Sequence, residues 1–190
     1  MRKISLFLFL IAAVAFKSFG QELPERENDT IIVWTQDRKL TWNDFQRRNL
    51  KGPKAAQSDI GIDVRTRYNG NKNFKYVVFA YFYKRESFTE TNKLDVLKHE
   101  QVHFDIAELF ARKMRFRLHQ LSREAFNKQK YLRAIDAVYE EYFLFQKRYD
   151  KETKHSISKD GQKEWNLKVA DALDDMKDFQ SKEFTKEFNN

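Results

Sequence analysis

The segment LKHEQVHFDIAE, residues 97–108, places two histidines and a glutamate at HExxH spacing. On an α-helix each residue advances about 100°, so His99 and His103 would lie one turn apart on the same face. Two imidazoles at that spacing can bind one metal ion, and a carboxylate beside the first can reach a water molecule in an open coordination position. The pattern therefore predicts a zinc centre, one ion per chain, with His99 and His103 as ligands and Glu100 as the general base.

A catalytic zinc ion usually takes three protein ligands, so a third is expected elsewhere in the chain. Asp105 and Glu108 lie about 120° and 180° around the helix from His99 and point elsewhere. Glu141 flanks the apolar stripe of a later predicted helix, from which it could reach a metal. His155 lies in a predicted loop, which can bring a distant ligand to a helix face. The residues alone leave both Glu141 and His155 as candidates.

The region before HExxH is predicted to be rich in β-strand. Residues 31–34 (IIVW) form a short apolar run typical of a strand, and Thr41 is a predicted N-cap for a short helix that begins at Trp42. Alternation over residues 60–68 and the aromatic, β-branched run FKYVVFAYFY predict a hairpin whose turn is NGNKN. Such a region could supply the edge strand on which a metallopeptidase binds an extended peptide.

The remainder of the chain is helical in its pattern. The first helix is predicted from Asn92 to about Leu121, and the second carries a stripe of apolar side chains over residues 131–149. A third helix begins near Ser158, with Trp165 on its apolar face. The expected fold is a single α+β domain, an antiparallel hairpin or sheet followed by three main helices, with HExxH on the first.

The first twenty residues are typical of a secretory signal peptide. Arg2 and Lys3 precede an apolar run over residues 4–16, and small residues at Ser18 and Gly20 suit cleavage before Gln21. A run of that length is short for a bilayer-spanning helix, which needs about 20 apolar residues. We therefore expect a signal peptide at residues 1–20 and one domain at 21–190, secreted or periplasmic, with no membrane anchor after cleavage.

Composition narrows the functional classes. The chain has 190 residues, of which 41% are hydrophobic and 34% charged, an ordinary globular balance. It has no cysteine, so the domain is expected to fold without disulfides. The net charge is +8, but its basic residues are interspersed with acidic ones. A basic block with interleaved aromatic residues is missing, so we do not expect a nucleic-acid partner.

Several motifs together resemble a bacterial family of predicted secreted zinc-dependent proteases, which is catalogued as a domain of unknown function. The similarity extends over about residues 34–173 and is carried by five segments: TWNDF, AYFYK, HEQVHFDIAELFARK, YDKETKHSI and QKEW. The combination of HEQxHFDIAE with YDxETxH is much more specific than HExxH alone. Members of the family usually carry glycine after the histidine of the second motif, whereas Ser156 follows here.

The resemblance implies a zincin-like fold in which His99 and His103 bind zinc and Glu100 is the base. It favours His155 as the third ligand. It also suggests that Tyr149 and Asp150 act next to the ligands or on the transition state, and Tyr149 could stabilise the oxyanion.

The leading hypothesis is an exported zinc metallopeptidase that hydrolyses peptide bonds by metal-activated water, with a peptide or protein as substrate. An alternative is an exported zinc-binding domain without catalytic activity, and a third possibility is an interaction domain that binds no metal. The sequence indicates neither the substrate nor the oligomeric state.

Overall fold

The computed structural model describes residues 26–47, 55–68 and 74–180. Three strands precede three helices: β1 (Ile31–Val33), β2 (Ala56–Tyr68), β3 (Phe74–Thr89), α1 (Leu94–Ser122), α2 (Lys128–Thr153) and α3 (Lys159–Asp175). Short 3₁₀ helices occupy Trp42–Asp44 and Lys177–Phe179. This order confirms the predicted α+β class. The predicted signal peptide and the hairpin turn NGNKN lie outside the described residues.

The strands form one antiparallel sheet in the order β1-β3-β2. Because side chains alternate between the two faces of a sheet, one face of each strand carries the residues that the helices cover. Ile32 on β1 and Ile62 on β2 are buried on that face, as are Val78, Ala80 and Phe82 on β3. The predicted hairpin is confirmed, and β2 begins at Ala56, earlier than its alternating pattern suggested.

Two side chains of α2 reach the edge of β2 that faces away from β3. Two tyrosine hydroxyls of α2 donate hydrogen bonds to β2 carbonyl oxygens, Tyr139 to Ile62 at 2.8 Å and Tyr142 to Ile60 at 3.4 Å. An extended peptide that added to this strand would need those same carbonyls. The edge strand expected for peptide binding is therefore present but is occupied between Ile60 and Ile62.

Helix α1 is the centre of the molecule and contacts β2, β3, α2 and α3. Residues on several sides of it are buried, among them Phe104, Ile106, Leu109, Phe110 and Met114. The helix begins at Leu94, with Lys93 as N-cap and no side-chain capping bond, so the predicted start at Asn92 was slightly early. No helix within the described ranges combines the length and apolar character needed to cross a membrane.

The ends of α2 and α3 are defined by local hydrogen bonds. The Asn127 side chain accepts a bond from the Lys130 amide and begins α2, and the Ser158 side chain accepts one from the Gly161 amide and begins α3. A Cβ atom on Gly161 would lie 2.7 Å from the Glu152 carbonyl oxygen, so glycine is needed where the first turn of α3 approaches α2. This close approach places the next residue of α3 beside the candidate site.

Candidate metal centre

Helix α1 presents His99 and His103 to the same point, as the spacing predicted. Their rings are 4.7 Å apart between centroids, and their Nε2 atoms are 3.2 Å apart. The two side chains are largely enclosed, with exposed fractions of 5% for His99 and 16% for His103. The pair therefore offers two nitrogen donors in a confined space.

Asp150 on α2 completes a group of three. Its Oδ1 atom lies 3.1 Å from Nε2 of His99 and 3.0 Å from Nε2 of His103. These three side chains offer ligand atoms that all lie within 4.8 Å of one another. Tetrahedral zinc with bonds of about 2.0–2.1 Å separates its ligand atoms by roughly 3.3 Å, so the spacing fits a zinc ion.

Two glutamines contact the Nδ1 atoms of the imidazoles, on the ring side opposite Nε2. Nδ1 of His99 lies 3.1 Å from Oε1 of Gln162 on α3, and Nδ1 of His103 lies 2.6 Å from Oε1 of Gln146 on α2. A carboxamide oxygen only accepts, so we assign the ring proton of both histidines to Nδ1. Outer contacts of this kind are usual for histidines that bind metals, because they fix the tautomer and the ring orientation.

This tautomer leaves a lone pair on each Nε2 atom, and both lone pairs face the carboxylate of Asp150. Three electron pairs then converge with no hydrogen between them, which is unfavourable unless a cation or shared protons lie among them. The donor set of His99, His103 and Asp150 therefore fits a divalent cation that accepts nitrogen and oxygen ligands, as zinc does.

The electrostatics of the site also favour a cation. Without a metal ion, a proton among these atoms takes its place: burial then raises the pKa of Asp150, but hydrogen bonds from the imidazoles of His103 and His99 outweigh burial and hold that pKa well below its usual range. For His103, burial disfavours the charged form, yet the contacts with Asp150, Glu100 and Gln146 together raise its pKa. Asp150 thus stays ionised and attracts a positive charge to this point, either a proton on an imidazole or a metal ion.

Glu100 lies beside the group and is itself buried, with 6% exposure. Its Oε2 atom accepts a hydrogen bond from the backbone N–H of Ser58 on β2 at 3.2 Å, and the Ser58 hydroxyl contacts the same oxygen. Its charge contributes to the raised pKa of His103. The carboxylate is therefore close to His99, His103 and Asp150, which together form the candidate metal-binding group.

Tyr149 packs against the ring of His99. Its ring stacks on the imidazole with centroids 4.6 Å apart, and the side chain is fully buried. The hydroxyl donates to the backbone carbonyl of His99 at 3.1 Å and accepts from Nε2 of Gln162 at 2.7 Å. To contact an oxyanion, as the resemblance suggested, this hydroxyl would have to leave the His99 carbonyl.

His155 lies next to the group but on its outer side. Its Nδ1 atom is 3.3 Å from Oδ1 of Asp150, and its side chain is 76% exposed. Within the described part of the chain, the set of clustered ligand atoms contains Asp150 and not His155. Asp150, five residues earlier, is thus a further candidate for the third ligand, and His155 as a ligand stays a prediction.

The loop that carries His155 has an unusual backbone. Lys154, His155 and Ser156 have φ angles of 51°, 52° and 73°, three consecutive residues in the left-handed region. That region costs a residue with a side chain about 1–2 kcal/mol relative to glycine. The glycine that the family usually carries at position 156 would suit this conformation better than Ser156 does.

The other acidic candidates lie away from the metal-binding group. Glu141 is exposed and pairs with Arg117 at 3.2 Å. Asp105 accepts hydrogen bonds from Nε1 of Trp34 at 2.7 Å and from Gln101 at 2.9 Å. Glu108 points to the other side of α1, as its angle predicted, and there forms a buried ion pair with Arg112.

Sequence reasoning missed four residues of the site: Ser58, Gln146, Asp150 as a candidate ligand, and Gln162. The two glutamines had a weak signal, because Gln146 follows the stripe residue Phe145 by one position and Gln162 precedes Trp165 by one helical turn. Ser58 had no signal, since the contact joins residues 42 positions apart in the chain.

Comparisons with known proteins give a family match for part of the chain. No curated protein and no solved structure matches it. Residues 86–156, which contain α1, α2 and the loop with His155, match the model of a family described as bacterial protein of unknown function (DUF922).

Proposed function

We propose that this chain is an exported zinc metallopeptidase that hydrolyses peptide bonds. The observation that supports the proposal most directly is the convergence of His99, His103 and Asp150 on one point beside the buried carboxylate of Glu100. A zinc ion, when bound, would supply Lewis acidity that lowers the pKa of a water molecule to near 7 and polarises a substrate carbonyl.

The chain's own residues would perform the proton transfers. His99, His103 and Asp150 would hold the ion, while Gln146 and Gln162 keep the imidazole lone pairs directed at it. Glu100 would take a proton from the attacking water and later donate it to the leaving amine. A carboxylate suits both roles because it can accept a proton and release it within one catalytic cycle.

The substrate would approach from the side of Asp150. The side chain of Asp150 is 33% exposed and that of His155 is 76% exposed, whereas His99 is enclosed. The β2 carbonyls of Ile60 and Ile62 accept hydrogen bonds from tyrosine hydroxyls of α2. A peptide that added to β2 as a further strand at those residues would therefore require α2 to move. The proposal therefore favours a peptide that enters between the end of α2 and the loop that follows it.

The test is the substitution Glu100→Gln in zinc-loaded protein, assayed by mass spectrometry on a peptide library. Because the amide cannot accept the proton, we expect cleavage to fall by about 10²- to 10⁴-fold while zinc content stays at one ion per chain. Glu140→Gln on the exposed face of α2 is the matched control and should leave cleavage unchanged.

Three results would contradict the proposal. Cleavage at the normal rate by the Glu100→Gln variant would remove the proposed base. A zinc-loaded wild-type chain that cleaves no peptide would favour the alternative, a zinc-binding domain without catalytic activity. Protein that binds no zinc at all would exclude both.

A further inference from the structure

Ser58 occupies an irregular position in the sheet. On its two sides, Gln57 pairs with Phe88 and Asp59 pairs with Tyr83, so residues 84–87 of β3 lie opposite Ser58 alone. The extra residues of this irregularity therefore belong to β3, and Ser58 keeps the alternation that places Ile60 and Ile62 on the face covered by α1. Beside Ser58, the Ser87 hydroxyl accepts a hydrogen bond from the Asp59 amide at 2.8 Å.

Ser58 faces α1 and meets Glu100 with two donors. The backbone N–H of Ser58 donates to Oε2 of Glu100 at 3.2 Å, and the Ser58 hydroxyl contacts the same oxygen. Among the described residues, Oε1 of Glu100 has no recorded hydrogen bond. One carboxylate oxygen is thus held by the sheet and the other is left for a different partner.

We propose that Ser58 is a positioning residue for Glu100, an inference that rests on the proposed peptidase function. A glutamate side chain has three rotatable bonds, so an untethered carboxylate samples many orientations. Proton transfer requires the accepting oxygen within about 2.6–3.2 Å of the water. Two donors on Oε2 select one orientation of the carboxylate and leave Oε1 to accept the proton. The transferred proton then goes from water to Oε1 and later to the amine nitrogen.

The substitution Ser58→Ala tests this role in the full zinc-loaded chain. It removes the hydroxyl but keeps the backbone N–H, so we expect kcat to fall roughly ten-fold, less than for Glu100→Gln, with KM and zinc content unchanged. Ser58→Thr restores a hydroxyl at the same position and should recover most of kcat. Ser122→Ala, a serine at the far end of α1, is the control for the chemical change and should behave as wild type.

A second measurement tests the contact between Ser58 and Glu100 without metal and without an activity assay. In protein from which metal has been removed with a chelator, Ser58→Ala should lower the urea midpoint of unfolding in the wild-type background. It should have little effect in a Glu100→Ala background, because the partner is already gone. Equal shifts in both backgrounds would overturn the contact and the inference with it.

The kinetic outcomes separate the inference from the proposed function. Full kcat in Ser58→Ala, or a loss expressed only in KM, would overturn the positioning role while the peptidase proposal stands. If the zinc-loaded wild type cleaves no peptide, the proposed function fails and the positioning role fails with it, although the unfolding measurement would still report the contact.

Discussion

At the residue scale, Asp150 and His155 illustrate how position decides between a ligand and its neighbour. Both are potential metal ligands on the same short segment, and they contact each other at 3.3 Å. Asp150 directs Oδ1 inward to both imidazoles, whereas His155 remains 76% exposed in a loop of left-handed residues. This arrangement makes Asp150 the better candidate for the third ligand and gives His155 an outer contact with that carboxylate.

The substitutions Asp150→Ala and His155→Ala should therefore differ in zinc affinity. Loss of an outer contact typically weakens metal binding 10- to 100-fold, and loss of a direct ligand should cost at least about 100-fold. We expect Asp150→Ala to show the larger loss and His155→Ala a loss of about ten-fold. Competition titration against a zinc chelator measures both. The reverse ranking would identify His155 as the third ligand.

At the scale of elements, α2 joins the site to the sheet. Gln146, Tyr149 and Asp150 serve the metal-binding group, and the Tyr139 and Tyr142 hydroxyls bond β2 on the same side of the helix. Positions 139, 142, 146 and 149 are three or four residues apart, and Asp150 lies four after Gln146, the spacing that places side chains along one helix face. A displacement of α2 from β2 would thus also move Asp150 away from the two histidines.

The substitution Tyr139→Phe tests this connection. It leaves the Ile62 carbonyl without its 2.8 Å hydrogen bond in a half-buried position, which should cost about 1–2 kcal/mol in the free energy of unfolding. Urea denaturation of the chelated protein measures the change. Tyr83→Phe is the control, because the Tyr83 hydroxyl has no recorded hydrogen bond to another described residue. Equal stability of Tyr139→Phe and wild type would show that the bond contributes nothing.

At the scale of the whole molecule, the site depends on long-range packing. Its contacts join β2 to α1 across 42 positions, α1 to α2 across 51 and 47, and α1 to α3 across 63. An unfolded chain cannot hold these groups together, so a metal that binds them binds the native state selectively. Such selective binding stabilises the native state by mass action.

Zinc should therefore raise the thermal stability of chelated protein. At a free zinc concentration of 100 times Kd, we expect a gain of about 2.7 kcal/mol and an increased Tm in calorimetry. Mg²⁺, which prefers oxygen ligands, should give no such gain. The double variant His99→Ala, His103→Ala should lose the response to zinc. A response that persists in that variant would place the metal elsewhere.

What the sequence alone determined is local. The spacing of His99, Glu100 and His103 predicted their common helix because the helical period depends on neighbouring residues. The apolar stripe that ends at Tyr149 and the cap at Ser158 predicted α2 and α3 for the same reason. The motif resemblance also directed attention to Tyr149, Asp150 and His155, and it favoured His155 as the third ligand, which stays a prediction.

Only the tertiary structure decided how these elements meet. Burial of Tyr149 and Trp165 fixes α2 and α3 against α1, and that packing turns Asp150, Gln146 and Gln162 towards the imidazoles. Packing of the sheet against α1 brings Ser58 to Glu100. No short-range pattern encodes such contacts, because the direction of each side chain depends on the packing of the elements against one another.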